Sequence, residues 1–206
     1  MLIDFEKAFD SVSWNFLYTV LEAFGFDENF INWIKLFNNG IQEYITQCGI
    51  LSQPMPIERG CRQGDPITPY LFLLVVEVLS CLIVQSPEIC GITIGDTTFK
   101  LTQFADDTLI LYGTTKSLQS AMNILEIFGK LSGLKMNCEK SKLIWIGSEE
   151  ASQRILNVSH KLHWGDTQFS LLGIQFSCDL TNLPNQNFQN VLLKPKKSDI
   201  PGNIDI

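Results

Sequence analysis

The alternation of apolar and polar positions divides the 206-residue chain into helical and extended stretches. From Ser13 to Phe24, the residues Trp14, Leu17, Val20, Leu21 and Phe24 recur at the spacing of one helical face, and Gly25 stands where such a helix would end. Asp27 can cap a second helix with the inward stripe Phe30, Ile31, Ile34 and Phe37, closed by Asn38-Asn39-Gly40. Tyr44-Ile45-Thr46 and Met55-Pro56-Ile57 read as short strands around a turn at Gly49. Thr68-Pro69 then open a long apolar helix to about Ile83.

Beyond Gly91 the pattern becomes extended: Ile92 to Ile94, Thr98 to Leu101, Gln103-Phe104, and Leu109 to Tyr112, with the acidic pair Asp106-Asp107 as a hairpin turn. Ser117 can cap a helix that buries Leu118, Met122, Leu125 and Phe128 and ends near Gly133. Two further strands, Leu143 to Ile146 and Leu171 to Phe176, flank a polar linker expected to start as a helix near Ser148. After about Asn182 periodicity fades into Asn, Gln, Pro and Lys, which predicts a loosely ordered tail. The order predicts an α+β domain, with helices packed on one face of an antiparallel sheet.

Composition narrows the reading. Hydrophobic content of 45% supports a real core and excludes a disordered chain. The six cysteines form no CxxC pair and Met1 to Glu6 has no export-signal character, so an intracellular protein with reduced thiols is expected. Tyr70 to Val84 is shorter than the roughly 20 residues that span a bilayer and carries Glu77 at its centre, so a buried helix is expected and no membrane partner. A net charge of −7 argues against a free-standing nucleic-acid binder, because phosphate backbones reward lysine and arginine.

Asp4 ends an apolar strand start, and Asp106 and Asp107 sit at a predicted hairpin tip. A core needs none of them there. If the strand ending at Asp4 lies beside that hairpin, the carboxylates converge and repel unless a divalent cation sits between them. Two such ions about 3.5–4 Å apart could clamp both oxygens of an in-line phosphoryl displacement. Taken singly, Asp106-Asp107 is also ordinary turn composition, and Asp4 could cap a turn. His160 and His163 lack a nearby carboxylate or cysteine to complete a metal site, and Lys194, Lys196 and Lys197 read as a solvated tail.

Several strings in one order decide between these. Residues Leu2-Ile3-Asp4-Phe5-Glu6-Lys7-Ala8-Phe9-Asp10-Ser11-Val12, Gly60 to Pro69, Phe104-Ala105-Asp106-Asp107, Gly133 to Lys142 and Leu172-Gly173-Ile174 resemble, in order, five motifs of the reverse transcriptases of non-LTR (LINE-type) retrotransposons. The resemblance covers residues 1 to about 177 and implies a palm domain there, with residues 178–206 a divergent tail. It implies RNA-directed DNA polymerase activity: transfer from a dNTP to a DNA primer 3′-hydroxyl, templated by RNA. In that family's pattern Asp4, Asp106 and Asp107 would be catalytic, and with the Phe5 carbonyl would hold two Mg²⁺ or Mn²⁺ ions. Phe9 would exclude a ribose 2′-hydroxyl, Gln63 and Gly64 would line the nucleotide pocket, Lys140 would serve the leaving pyrophosphate, and Leu172-Gly173 would grip the primer.

The chain departs from the family in places. With so little sequence before Asp4, a palm without fingers and with at most an incomplete thumb is expected, hence weak or absent activity, and absence of that basic surface would account for the acidic balance. Thr68 stands where serine is usual, and Leu171-Leu172 precede Gly173 where an aromatic residue is common. The competing expectation is a non-enzymatic retroelement remnant that acts only as a binding or interaction module.

Overall fold

The computed structural model describes residues 1–145, 162–165, 168–177 and 187–188. The expected linker helix near Ser148, His160 and the tail lysines lie outside the described residues. The elements run β1 (Leu2–Ile3), α1 (Ala8–Ser11), α2 (Trp14–Ala23), α3 (Glu28–Asn38), β2 (Gln42–Glu43), β3 (Thr46–Gln47), β4 (Ile50–Leu51), β5 (Met55–Pro56) and α4 (Thr68–Gln85). After these come β6 (Ile92–Ile94), β7 (Thr97–Phe99), β8 (Leu101–Phe104), β9 (Asp107–Ile110), α5 (Thr115–Ser132), β10 (Lys142–Leu143), β11 (His163–Trp164), β12 (Gln168–Leu171) and β13 (Ile174–Ser177).

A five-stranded sheet in the order β11-β10-β1-β9-β8 forms the centre. Its first strand in sequence is its middle strand in space, paired antiparallel to β9 (Leu2↔Leu109, Ile3↔Thr108) and to β10 (Leu2↔Lys142). The sheet departs from the all-antiparallel expectation at one edge, where β11 runs parallel to β10. Alternation sets the faces: Ile3, Thr108, Ile110 and Leu143 are buried, while Leu2, Asp4 and Asp107 are not. The helices α2, α4 and α5 pack together over the buried face, α4 also touching β8. Among the described residues α4 alone is long and apolar enough to cross a bilayer. Its stripe Phe72, Val75, Leu79 and Ile83 is fully buried in this core, each side chain contributing about 1.5–3 kcal/mol of burial.

Local sequence explains most boundaries. Ser13 caps α2 by accepting the Phe16 N–H, and Asp27 caps α3 by accepting that of Asn29. Ile31 and Ile34 are buried as expected, but Phe37 at the end of the α3 stripe is 48% exposed and Phe24 47%. The cap of α5 is Thr114, whose hydroxyl accepts the Ser117 N–H at 3.1 Å, and not Ser117 itself. Ser117 is buried, donating to the Glu88 carbonyl at 2.8 Å and accepting the Cys90 N–H at 3.0 Å, so tertiary bonds occupy its hydroxyl.

Two hairpins differ from the expected strands. Phe104 pairs with Asp107, so the tight turn is Ala105-Asp106, with Asp107 starting the return strand. Ala105 takes φ 52, the positive value that primed hairpin turns need at their first central residue. The stretch from Leu171 to Phe176 is likewise no single strand: Leu172 (φ 52) and Gly173 (φ 78) turn the chain so that Leu171 faces Ile174. The five cysteines among the described residues are free thiols. Burial pushes that of Cys61 up to about 11.

Candidate functional site

The register of β1 against β9 does the positioning. Leu2↔Leu109 and Ile3↔Thr108 are paired, and the next step along both strands sets Asp4 beside Asp107. Residues opposed in an antiparallel pair project to the same face, here the face away from the helical layer. The tight turn holds Asp106 one residue before Asp107. Residues about a hundred positions apart in sequence thus form one acidic cluster on the sheet.

Electrostatics record the proximity. The Asp107 carboxyl is held above the usual aspartate range, first by partial burial, then by the charge of Asp106, then by that of Asp4. Among the described residues no three His, Cys, Asp or Glu side chains are arranged, as they stand, to close around one ion. The donor chemistry nonetheless fits Mg²⁺ or Mn²⁺, since all three groups offer hard carboxylate oxygens.

A scaffold of backbone bonds fixes the Asp4 segment. Ser141, fully buried, accepts the Asp4 N–H at 3.0 Å, while Asn137 N–H donates to the Asp4 carbonyl at 2.8 Å and Glu6 N–H to Lys135 at 2.9 Å. The Gly133–Ser141 loop is therefore zipped along the residues around Asp4. It can approach so closely because Gly133 has no side chain: a Cβ there would stand 2.3 Å from the Ser11 carbonyl oxygen. From below, Ser80 on α4 donates to Gln103 at 2.5 Å, whose amide donates to Thr108 at 3.0 Å, tying the acidic hairpin to the helical layer.

Phe9, in α1 and five residues after Asp4, is half-buried, its ring stacked on the buried Phe72 at 4.3 Å between centroids. The Gly60–Gly64 segment is pulled against it: Cys61 N–H donates to the Phe9 carbonyl at 2.6 Å and Gly60 N–H to Val12 at 2.8 Å. A Cβ on Gly60 would meet the Asp10 backbone at 2.8 Å, so this contact also requires glycine. Gln63 consequently reaches Asp10, donating to its carboxylate at 3.3 Å. A Cβ on Gly64 would meet no protein atom within 4 Å, so the space beside it is open.

Two cavities adjoin this segment. One of about 680 Å³ is bordered by Phe5, Lys7, Arg59, Lys135 and Lys140. A larger one of about 1140 Å³ is bordered by Asp10, Arg62 and Gln63. The two share Lys7, Ser11, Arg59 and Gly133. The structure thus gathers Asp4, Phe5, Phe9, Gln63, Gly64, Asp106, Asp107 and Lys140 around the β1–α1 segment. Leu172 and Gly173 are not in that sheet; they form the turn of the separate β12–β13 hairpin. Sequence reasoning missed the positioning roles of Gly60, Gly133, Asn137 and Ser141. All four lie in or beside the quoted strings, but their partners are distant in sequence, so spacing carried no signal.

The family model described as "Reverse transcriptase (RNA-dependent DNA polymerase)" matches residues 1–176. The chain is 32% identical over 147 residues to the Retrovirus-related Pol polyprotein from type-1 retrotransposable element R2 of Popillia japonica, covering 71% of this chain and 20% of that protein. It is 27% identical over 170 residues to the corresponding polyprotein of element R2DM of Drosophila melanogaster, covering 82% of this chain and 16% of that protein. The Transposon TX1 uncharacterized 149 kDa protein of Xenopus laevis is 27% identical over 148 residues, 71% of this chain and 11% of its own length. The chain thus spans a fifth or less of each of these relatives.

Proposed function

The chain belongs to the reverse transcriptase (RNA-dependent DNA polymerase) family, of the non-LTR retrotransposon type, and on that premise we propose that residues 1–177 are a palm domain whose carboxylates Asp4, Asp106 and Asp107 are its catalytic centre. The observation that carries the reading is the β1–β9 register, which sets Asp4 beside Asp107 and within electrostatic reach of the Asp106-Asp107 pair. Members of the family use divalent metal ions; here Asp4, Asp106, Asp107 and the Phe5 carbonyl would hold two Mg²⁺ or Mn²⁺. Such ions, when bound, would neutralise the charge that develops in phosphoryl transfer.

The chain's own residues set the rest. Phe9, backed by the fully buried Phe72 ring, walls off the space under the sugar and excludes a 2′-hydroxyl, so selection for dNTPs is by exclusion. Gln63, oriented by Asp10, and the open space at Gly64 face the incoming nucleotide. Lys140, at the rim of the smaller cavity, offers positive charge and a proton to the departing pyrophosphate. Leu172 and Gly173, at an exposed hairpin tip, would hold the primer strand against an RNA template.

Calorimetric titration with Mn²⁺ tests the centre. Wild type should bind, and Asp106→Asn should weaken binding about tenfold, roughly one charge-assisted contact. Equal affinities would defeat the assignment. No binding by wild type would favour a module that only docks to partners.

A further inference from the structure

Helix α3 is apolar on two sides, and the fold covers only one of them. Ile31 and Ile34 are buried in the core. Beside them Phe26, Phe30, Trp33 and Phe37 make a second stripe, at intervals of four, three and four residues. The rings pair along it: Phe26 stacks on Phe30 at 5.0 Å between centroids, and Trp33 lies 6.2 Å from Phe37. Trp33 is 58% exposed, and Leu36, one turn further on, is exposed as well. A surface helix over a single core needs one apolar stripe. Exposed aromatic rings gathered in a second one mark a docking surface. The exposure of Phe37, which spacing alone assigns to the core, then has a physical reason: the residue belongs to the outer stripe.

We propose that this stripe joins two copies of the chain, their α3 helices packed antiparallel across a two-fold axis. Charge decides the class of partner. Between Phe24 and Gly40 the only cation is Lys35, set against Asp27 and Glu28, and its ammonium lies over the Tyr18 ring of its own chain at 5.4 Å. A nucleic-acid strand stacked on these rings, or an anionic membrane surface, calls for a cationic track beside them. A protein helix does not, and intervals of four and three are those of a coiled-coil seam. The order four, three, four also reads the same from either end. An antiparallel mate therefore meets ring with ring, Phe26 against the partner's Phe37 and Phe30 against the partner's Trp33. In that pairing Glu28 stands level with the partner's Lys35, and the two helix dipoles oppose each other. Copies with a net charge of −7 repel each other over most of their surface, but no member of the seam is charged, so they can approach there. The exposed parts of the stripe and Leu36 offer about 400 Å² per copy. Two such faces with a polar rim reach roughly 1,000 Å², the low end of specific interfaces. The proposal goes beyond the polymerase reading and stands or falls without it.

The test is sedimentation equilibrium of the full chain over a concentration series. A monomer–dimer equilibrium with a dissociation constant on the order of 10 μM is expected of so small an interface. Trp33→Ala should weaken it about a hundredfold, because a two-fold pair loses the ring twice. Trp33→Phe, which keeps an aromatic anchor, should stay within about tenfold of wild type. Ile127→Ala, at an exposed apolar position on α5, should change the constant less than about twofold. Trp33 is exposed, so its variants should melt like wild type when measured below the dissociation constant. Orientation is read by mixing a Phe26→Cys chain with a Phe37→Cys chain under mild oxidation and mapping the linked peptides. A disulfide between positions 26 and 37 is expected. Position 26 should not link to its own copy, from which it would stand about 16 Å away along the helix axis. A chain that stays monomeric up to about 1 mM, a range that covers even weak association, would overturn the proposal, and so would a dimer that ignores Trp33→Ala. A 26–26 link would overturn the antiparallel pairing. A monomer that binds a single-stranded oligonucleotide and loses it with Trp33→Ala would replace the dimer face with a base-stacking platform.

Discussion

Gly133→Ala is expected to be among the most damaging single-methyl changes in this chain. Gly133 ends α5 with φ 84, and an added Cβ would lie 2.3 Å from the Ser11 carbonyl oxygen. Forcing alanine into the left-handed region costs about 1 kcal/mol. Contacts under 3.0 Å essentially never occur for real Cβ atoms, so two backbone segments must part by at least 0.7 Å. Overpacking of that kind costs about 1–3 kcal/mol. The separation also strains the bond from Ser13 N–H to the Ser132 carbonyl, now 2.7 Å, which contributes about 1 kcal/mol. The sum is about 4 kcal/mol, a large share of the roughly 5–15 kcal/mol that holds a domain together. With a urea slope of about 2 kcal/mol per molar, the unfolding midpoint should fall by about 2 M. Gly25→Ala is the matched control: its φ of 80 imposes the same backbone cost, but no atom lies within 4 Å of the added Cβ. It should lose only about 0.5 M. Equal midpoint shifts in the two variants would refute the steric argument.

Asp107→Asn should stabilise the metal-free protein at neutral pH. The Asp107 carboxyl is raised above its ordinary value in the folded state, so the fold binds the proton more tightly than the unfolded chain does. Wild-type stability therefore falls as pH rises through the interval above 3.8. The gain from Asp107→Asn, read by urea unfolding in EDTA, should be larger at pH 7 than at about pH 4, and a gain that ignores pH would contradict the sign. Ser141→Ala should cost about 1–3 kcal/mol by leaving the Asp4 N–H without its acceptor. Hydrogen exchange at the Asp4 amide should accelerate in this variant, and unchanged exchange would show that the hydroxyl does not hold that segment.

Much of the helical layer was legible in the sequence, because capping and apolar periodicity act within a few residues. Ser13, Asp27 and Pro69 stand where the chain alone puts them. Legibility failed where a distant partner decided. Ser117 has the composition of a cap, yet the Glu88–Cys90 loop claims its hydroxyl and Thr114 caps instead. Phe37 completes a helical stripe by spacing but lies 48% exposed. Leu171 to Phe176 has a strand's composition, and only the left-handed pair Leu172-Gly173 reveals the hairpin. The acidic residues could be singled out individually, because Asp-Asp beside an apolar strand is conspicuous. Their convergence needed the register of Leu2 against Leu109, which no local pattern encodes.

That register also governs how the domain comes into being. β1, just two residues long, is hydrogen-bonded only to strands more than a hundred positions downstream, at Leu109 and Lys142. The entropy of closing such loops falls due before any pairing is gained. During synthesis β1 must wait, unpaired, until β9 and then β10 have been made, relying on chaperones or early helix packing in the interval. The helices α2, α3 and α4 carry mostly local information and can collapse sooner. Asp4 meets its partners only through this long-range pairing, so the acidic cluster is expected only in molecules that have formed it. Its protection against amide exchange should report the global unfolding equilibrium and not a local opening.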